Sequence, residues 1–209
     1  MRRTGQILAI LVIITVSLTG LSPGAPIKNA KYYYDQGADF LKKGQNAQAV
    51  AKFDQAIQMD PKYALAYNLR GVAYYRSGYF NRAMIDLNKA IDLNKNLEIA
   101  YNYRGLIYAK KNNHSKAIAE YNKAIKLNPK RAVNYNNRGM AYYRSKAYDK
   151  AITDFSKAIQ LNPNFAVAYQ NRAKAYFKKK DYSKGKEDRR RAESLESQKA
   201  FQQISGSKK

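Results

Sequence analysis

The stretch "NYNNRGMAYYRSKAYDKAITDFSKAIQLNP" (residues 134–163) combines several positive charges with apolar residues at helical spacing. Its apolar side chains recur three and four positions apart in two segments, which is the periodicity of an amphipathic helix. A short polar turn separates the two segments. The stretch therefore predicts two helices packed against each other. It leaves open whether its charges form a binding site or only a solvated surface.

The same pattern recurs along the chain every 34 residues without an insertion. The recurring positions are Tyr33, Tyr67, Tyr101, Tyr135 and Tyr169; Gly37, Gly71, Gly105 and Gly139; and Ala49, Ala83, Ala117 and Ala151. A fixed period of this length indicates a repeat architecture in which each unit packs on the next. We therefore predict an all-α solenoid of about five helix-turn-helix units. The units span residues 30–63, 64–97, 98–131, 132–165 and 166–199, and residues 200–209 form a C-terminal helix end and tail.

The order of an aromatic residue, glycine, tyrosine, alanine and a closing proline at this period resembles the tetratricopeptide repeat (TPR) over residues 30–199. The resemblance implies a right-handed superhelix whose first helices line a concave ligand groove. Arginine stands where the pattern has leucine, at Arg70, Arg104, Arg138 and Arg172. In the last unit Gly185 and Arg189 replace the packing alanine and aromatic residue. This departure is typical of a degenerate capping unit with a polar outer face.

The repeated arginine should be half-buried, and it therefore needs a partner. An acidic residue follows each of these arginines sixteen positions later, on the facing helix of the same unit. The first unit has Gln36 and Lys52 at the two positions, so the arginine and the acid are lost together. We therefore predict four structural ion pairs, which are Arg70–Asp86, Arg104–Glu120, Arg138–Asp154 and Arg172–Asp188.

By the resemblance, one amide per unit lines the groove, at Asn68, Asn102, Asn136 and Gln170. A basic residue follows each amide eight positions later, at Arg76, Lys110, Arg144 and Lys178, and the aromatic residues Tyr75, Tyr143 and Phe177 lie beside them. Amides can donate to and accept from a peptide main chain, and cations favour carboxylates or phosphates. These residues predict a groove for an extended acidic peptide. In the alternative hypothesis, the cations only complement the dipoles of helix C-termini.

The sequence offers no set of residues for catalysis, for a metal ion or for a cofactor. It contains no cysteine, and His114 is its only histidine. The acidic residues recur as copies of one structural position, whereas a nucleophile needs a unique adjacent base. The carboxylate clamp of chaperone-tail binders is also absent, because residues such as Tyr34 and Leu69 hold the corresponding positions. We therefore expect a non-enzymatic interaction protein without a cofactor or metal.

The charge balance indicates what kind of partner to expect. The chain has 39 Lys and Arg residues against 15 Asp and Glu residues, a formal net charge of +24. Such a surplus favours acidic proteins, anionic polymers or anionic membrane surfaces. We predict a scaffold for protein–protein interaction. The alternative is a binder of an anionic polymer or membrane surface. Nucleic acid is not expected as a partner, because the chain begins with an export-type segment.

The N-terminal segment "MRRTGQILAILVIITVSLTGLSPGAP" places Arg2 and Arg3 before an apolar run, as export signals do. The run covers residues 7–21, which is shorter than the about 20 residues of a usual spanning helix and favours a cleaved signal. The lack of an Ala-x-Ala site favours an uncleaved membrane anchor instead. We predict that residues 1–27 are a signal peptide or an anchor. The rest of the chain then lies on the periplasmic or extracellular side of the cell envelope.

Overall fold

The computed structural model describes residues 28–206, and within that range it contains ten helices and no strand. The helices are α1 (Ala30–Lys42), α2 (Asn46–Met59), α3 (Ala64–Arg76), α4 (Phe80–Leu93), α5 (Glu98–Lys110), α6 (His114–Leu127), α7 (Ala132–Arg144), α8 (Tyr148–Leu161), α9 (Ala166–Lys178) and α10 (Tyr182–Gly206). The predicted all-helical solenoid is confirmed. The predicted signal or anchor at residues 1–27 lies outside the described residues. None of the ten helices is long and apolar enough to cross a membrane.

Consecutive helices form five units, in which a first helix of 13 residues packs against a second helix. The second helix has 14 residues in four units, and α10 extends to 25 residues at the end of the array. First helices of adjacent units contact one another, whereas no two second helices of the described units do. The array therefore curves with its first helices on the inner side.

The turn inside each unit contains one residue in the left-handed backbone conformation. The five residues and their φ angles are Gly44 (75°), Gly78 (83°), Asn112 (56°), Lys146 (63°) and Lys180 (63°). The N–H of each donates to the carbonyl three residues earlier, which ends the first helix. Glycine adopts this conformation freely, but a lysine side chain does so at a steric cost. Packing of the two helices therefore imposes the conformation in the last two turns.

A large side chain of the second helix closes each of the first four units by packing on a glycine of the first helix. The pairs are Phe53 on Gly37, Leu87 on Gly71, Tyr121 on Gly105 and Phe155 on Gly139. A Cβ atom at Gly139 would lie 2.7 Å from Cε1 of Phe155, so a larger residue does not fit without displacement. The last unit reverses this arrangement. There the glycine, Gly185, lies on the second helix and contacts Phe177 of the first.

Candidate functional site

In each of the four predicted pairs, the arginine donates hydrogen bonds to both carboxylate oxygens of the acid sixteen residues later. The Nε and Nη2 atoms donate at distances of 2.7 to 2.9 Å in all four pairs. The acids are deeply placed, and Asp154 for example is 4% exposed. The hydrogen bonds to Asp154 raise the pKa of Arg138. Two parallel charge-assisted hydrogen bonds fix both side chains, so these eight residues hold the helices together.

The same arginines also reach the preceding unit, which the sequence analysis missed. The Nη1 atoms donate to Asp54, Asn88, Asn122 and Ser156, in order along the chain, at 2.6 to 3.0 Å. The guanidinium carbon of Arg138 also lies 5.7 and 5.9 Å from the ring centroids of Tyr135 and Tyr142. Each arginine thus bridges three helices. The sequence did contain a signal for these contacts, because the four polar acceptors recur every 34 residues.

A second contact between units was not foreseen. Glu98 at the start of α5 accepts from Arg131 Nη1 at 2.8 Å and from Asn134 Nδ2 at 2.7 Å. Asn134 is fully buried, and its Oδ1 has no hydrogen-bond partner in the described structure. Asn134 occupies the place that alanine holds at Ala66 and Ala100. Among the described units, this polar cluster therefore occurs only between the third and the fourth.

The asparagines predicted for the groove are buried between first helices. Asn68, Asn102 and Asn136 are 3%, 4% and 7% exposed. The Oδ1 of Asn102 accepts from Asn137 Nδ2 at 2.9 Å, and the Oδ1 of Asn136 accepts from Asn171 Nδ2 at 3.0 Å. The Oδ1 of Asn68 is buried without a partner. Two of the three amide oxygens are therefore used to join neighbouring units.

The other predicted groove residues have different surroundings. Arg76 Nη1 donates to the carbonyl of Leu41 at the end of α1, at 3.0 Å. Gln170 Nε2 donates to Glu196 of α10 at 2.6 Å. The contact of Arg76 fits the helix-end alternative for the cations. Arg144 and Lys178 are exposed, and their side chains make no hydrogen bond, ion pair or ring contact within the described part of the chain.

Lys110 and the three aromatic groove residues make ring contacts. Lys110 Nζ lies 5.1 Å from the ring centroid of Phe80. Each aromatic residue meets the ring at the start of the next helix: Tyr75 with Phe80 at 5.4 Å, Tyr143 with Tyr148 at 5.6 Å, and Phe177 with Tyr182 at 6.4 Å. Tyr75 also packs edge-on against Tyr103 at 5.2 Å. Burial is the main cause that raises the pKa of Tyr75, with Tyr103 contributing, so its hydroxyl stays protonated at neutral pH.

A pocket of about 380 Å³ on the inner side brings three of the predicted residues together. It contains Tyr75 of α3, Lys110 of α5 and Arg144 of α7. Leu106 and Met140 form apolar walls. The other lining residues are Ala109, Asn112, His114, Tyr121, Asn137 and Ala141. None of the lining residues is acidic, so the pocket offers hydrogen-bond donors and positive charge beside an apolar surface.

Tyr121 is the most deeply buried tyrosine among the residues that line this pocket. Tyr121 is 1% exposed, and burial raises its pKa far above the usual range. Its hydroxyl is therefore a neutral hydrogen-bond donor at every physiological pH.

Residues 28–206 contain no group of three or more histidine or acidic side chains that could hold a metal ion.

These features define a class of protein, a curved array of helical hairpins with a positively charged pocket on the inner side. Tetratricopeptide repeat models match residues 37–78, 64–97, 105–146, 132–165 and 155–187. The chain therefore belongs to the tetratricopeptide repeat family. Such arrays typically serve as non-enzymatic scaffolds for protein–protein interaction.

Several solved structures are similar to the chain. The crystal structure of MamA is 27% identical with a TM-score of 0.67, covering 82% of this chain and 94% of that chain. MamA 41-end from Desulfovibrio magneticus RS-1 is 21% identical with a TM-score of 0.70, covering 83% and 98%. YrrB, described as a TPR protein with an unusual peptide-binding site, is 21% identical with a TM-score of 0.63, covering 80% and 86%. No curated protein matches the chain.

Proposed function

We propose that this protein is an exported or membrane-anchored scaffold that holds an extended acidic segment of a partner protein along its first helices. One observation supports this most directly. Lys110 and Arg144 come from different units yet line one pocket, and no acidic residue lies in its walls. An acidic side chain or a chain terminus would meet both cations there. Carboxylates are among the groups with which such cations form strong charge-assisted hydrogen bonds.

The role of the asparagines differs from the one that the repeat pattern implied. The oxygens of Asn102 and Asn136 already accept hydrogen bonds from the next helix. Turning them toward a peptide would break a buried contact between units, which costs about 1–3 kcal/mol for each unsatisfied group. We therefore assign recognition to the cations and the pocket walls. The asparagines instead set the distance between the helices that carry them.

Two lysine variants test this assignment. The probe is a fluorescein-labelled peptide of alternating glycine and glutamate, and its binding to the full chain is followed by fluorescence anisotropy. A hydrogen bond to a charged group is worth about 1.5–3 kcal/mol, so Lys110→Ala should weaken binding about tenfold or more. Lys89→Ala removes the same charge from the exposed face of α4 and should change binding much less.

Equal losses from Lys110→Ala and Lys89→Ala would contradict the groove and favour the anionic-polymer alternative. Salt provides an independent distinction between the two functions. Binding of a polymer by counterion release falls steeply as salt rises. A peptide held in a pocket by a few contacts should lose less affinity over the same range. A wild-type salt dependence as steep as that for heparin on the same chain would count against the peptide.

We also propose that the array lies on the outer side of the cytoplasmic membrane, because of the N-terminal pattern. Mass determination of the native protein should show either an intact start at Met1 or a new start near Ala25. Fractionation should recover the chain in the envelope or outside the cell. Full-length protein found wholly in the cytoplasmic fraction would overturn this placement.

A further inference from the structure

The inner pocket exists because the third unit lacks a pair of aromatic rings. In the second, fourth and fifth units, the ring near the end of the first helix meets the ring that begins the second helix. In the third unit the corresponding residues are Ala109 and His114, and both line the pocket. The first unit has Leu41 and Asn46 at these places. The middle of the array therefore contains a gap where its neighbours have packed rings.

His114 lines this gap and carries an unsatisfied polar atom. Its Nδ1 atom is buried and has no hydrogen-bond partner in the described structure. A buried polar atom without a partner costs free energy, and a ligand atom that pairs with it removes that cost. The other lining groups that can carry a charge are Tyr75 of α3, Lys110 of α5, Tyr121 of α6 and Arg144 of α7. On His114's own helix, Lys116 lies over the ring of Tyr108.

We propose that this gap binds one carboxylate of the acidic segment, and that His114 takes up a proton from solvent as it binds. The inference rests on the proposed function and specifies the site and its regulation. A carboxylate only accepts hydrogen bonds, and a protonated imidazole donates from both ring nitrogens. Without the carboxylate, a third positive charge beside Lys110 and Arg144 is unfavourable. With the carboxylate present, the added charge is attractive. The proton leaves again when the segment dissociates.

The consequence is tighter binding at lower pH, over the range in which histidine changes its charge. Histidine titrates between about pH 5 and 8, whereas ordinary lysine, arginine and tyrosine do not. A glutamate side chain stays ionised above about pH 5. An α-amino group also changes its charge in this range, so the change in affinity between about pH 5.5 and pH 8 that His114→Gln removes is the part that reports on His114, the only histidine in the chain.

The first test measures affinity at these two pH values for the full chain, purified without a histidine tag. The probe is the glycine–glutamate peptide with an amidated C-terminus, here labelled with a rhodamine because fluorescein itself changes its charge between these two pH values. We expect a dissociation constant about tenfold lower at about pH 5.5 than at about pH 8. A second probe of glycine and serine with a free C-terminus determines whether a terminal carboxylate enters the pocket as well. His114→Gln keeps a polar side chain that cannot take up a proton, so it should remove the pH dependence.

Because the chain has a single histidine, its imidazole signals can be followed directly by NMR. Addition of the glycine–glutamate peptide should shift the midpoint of the His114 titration to higher pH. A midpoint that is the same with and without bound peptide would overturn the proton uptake. Equal affinity at both pH values, or a pH dependence that persists in His114→Gln, would overturn it too and leave the proposed function standing. Absence of binding at both pH values would instead refute the proposed function together with this inference.

A rebuilt ring pair tests the gap itself. The double variant Ala109→Tyr/His114→Phe gives the third unit the residues of the second, where Tyr75 meets Phe80. The two rings should fill the pocket without disturbing the fold, because the same two residue types pack together in the second unit. We expect binding of the peptide to fall about tenfold or more while the thermal midpoint stays equal or rises. A variant that folds and binds like the wild type would show that the carboxylate lies elsewhere.

Discussion

Replacing Arg138 by leucine should destabilise the array, although leucine is what the repeat pattern has at this position. The substitution removes two hydrogen bonds of 2.7 Å to Asp154 and one of 2.7 Å to Asn122. It leaves Asp154, which is 4% exposed, as a buried acid without its partner. The loss therefore comes mostly from the uncompensated acid and only partly from the missing attraction.

The expected size follows from the exposure of the two side chains. Breaking a fully buried ion pair by removing one partner costs about 3–5 kcal/mol. The Arg138 side chain is 21% exposed, so water screens part of the attraction, and the loss should be near the lower limit of about 3 kcal/mol. Arg138→Leu/Asp154→Leu removes both charges, and it should lie within about 1 kcal/mol of the wild type because buried pairs and apolar substitutes are often equivalent.

Urea unfolding of the full chain, followed by circular dichroism, measures both variants. Lys31→Leu provides the control, since Lys31 pairs with Asp35 at the surface and such exposed pairs contribute little to stability. The reasoning fails if Arg138→Leu is no more destabilising than Lys31→Leu. It also fails if the double variant is as unstable as Arg138→Leu alone, because the isolated acid would then not be the cause.

Two further substitutions test the turns and the last unit. Lys146→Gly should raise the free energy of unfolding by about 1 kcal/mol, because φ is 63° at Lys146 and glycine adopts this left-handed conformation without a steric cost. Lys43→Gly is the control, since φ is −77° there and glycine should lower stability in the same urea unfolding assay. Gly185→Ala places a Cβ atom 2.6 Å from Cε1 of Phe177 and should lower the free energy of unfolding by about 1–3 kcal/mol. In the presence of Phe177→Ala the same substitution should cost less, because the clashing ring is gone. If the losses of the two single variants simply add in the double variant, the clash is excluded.

The fold was predictable because the first four units repeat the same local pattern of residues. The glycine at the crossing of the two helices and the large residue opposite it recur with the period of 34, so one stretch predicts all the others. The arginine–acid spacing was visible for a related reason, since Gln36 and Lys52 show that the two residues are lost together. The contact from Arg104 to Asn88 was less visible, because its acceptor changes residue type between units and lies across a boundary.

The inner pocket was harder to predict, because it depends on residues that are missing. The sequence shows Ala109 and His114 where three other units have rings, but it does not give the width of the resulting gap. The asparagines show a second limit. A helix turns by about 100° per residue, so neighbours such as Asn136 and Asn137 point in different directions. Only the packing of the first helices determines that Asn137 donates to Asn102 and that Asn136 accepts from Asn171.

The bridging arginines divide the described helices into two groups of unequal resistance to opening. Arg70 ties α2, α3 and α4 together, and its counterparts continue this linkage without a break to α10. Helix α1 alone lacks such an arginine, and Arg76 holds its end through one carbonyl. Local opening starts where few interactions must break. Of the ten described helices, α1 should therefore detach first, because the other nine remain linked by arginines. This places the first local opening at the N-terminal end of the described array.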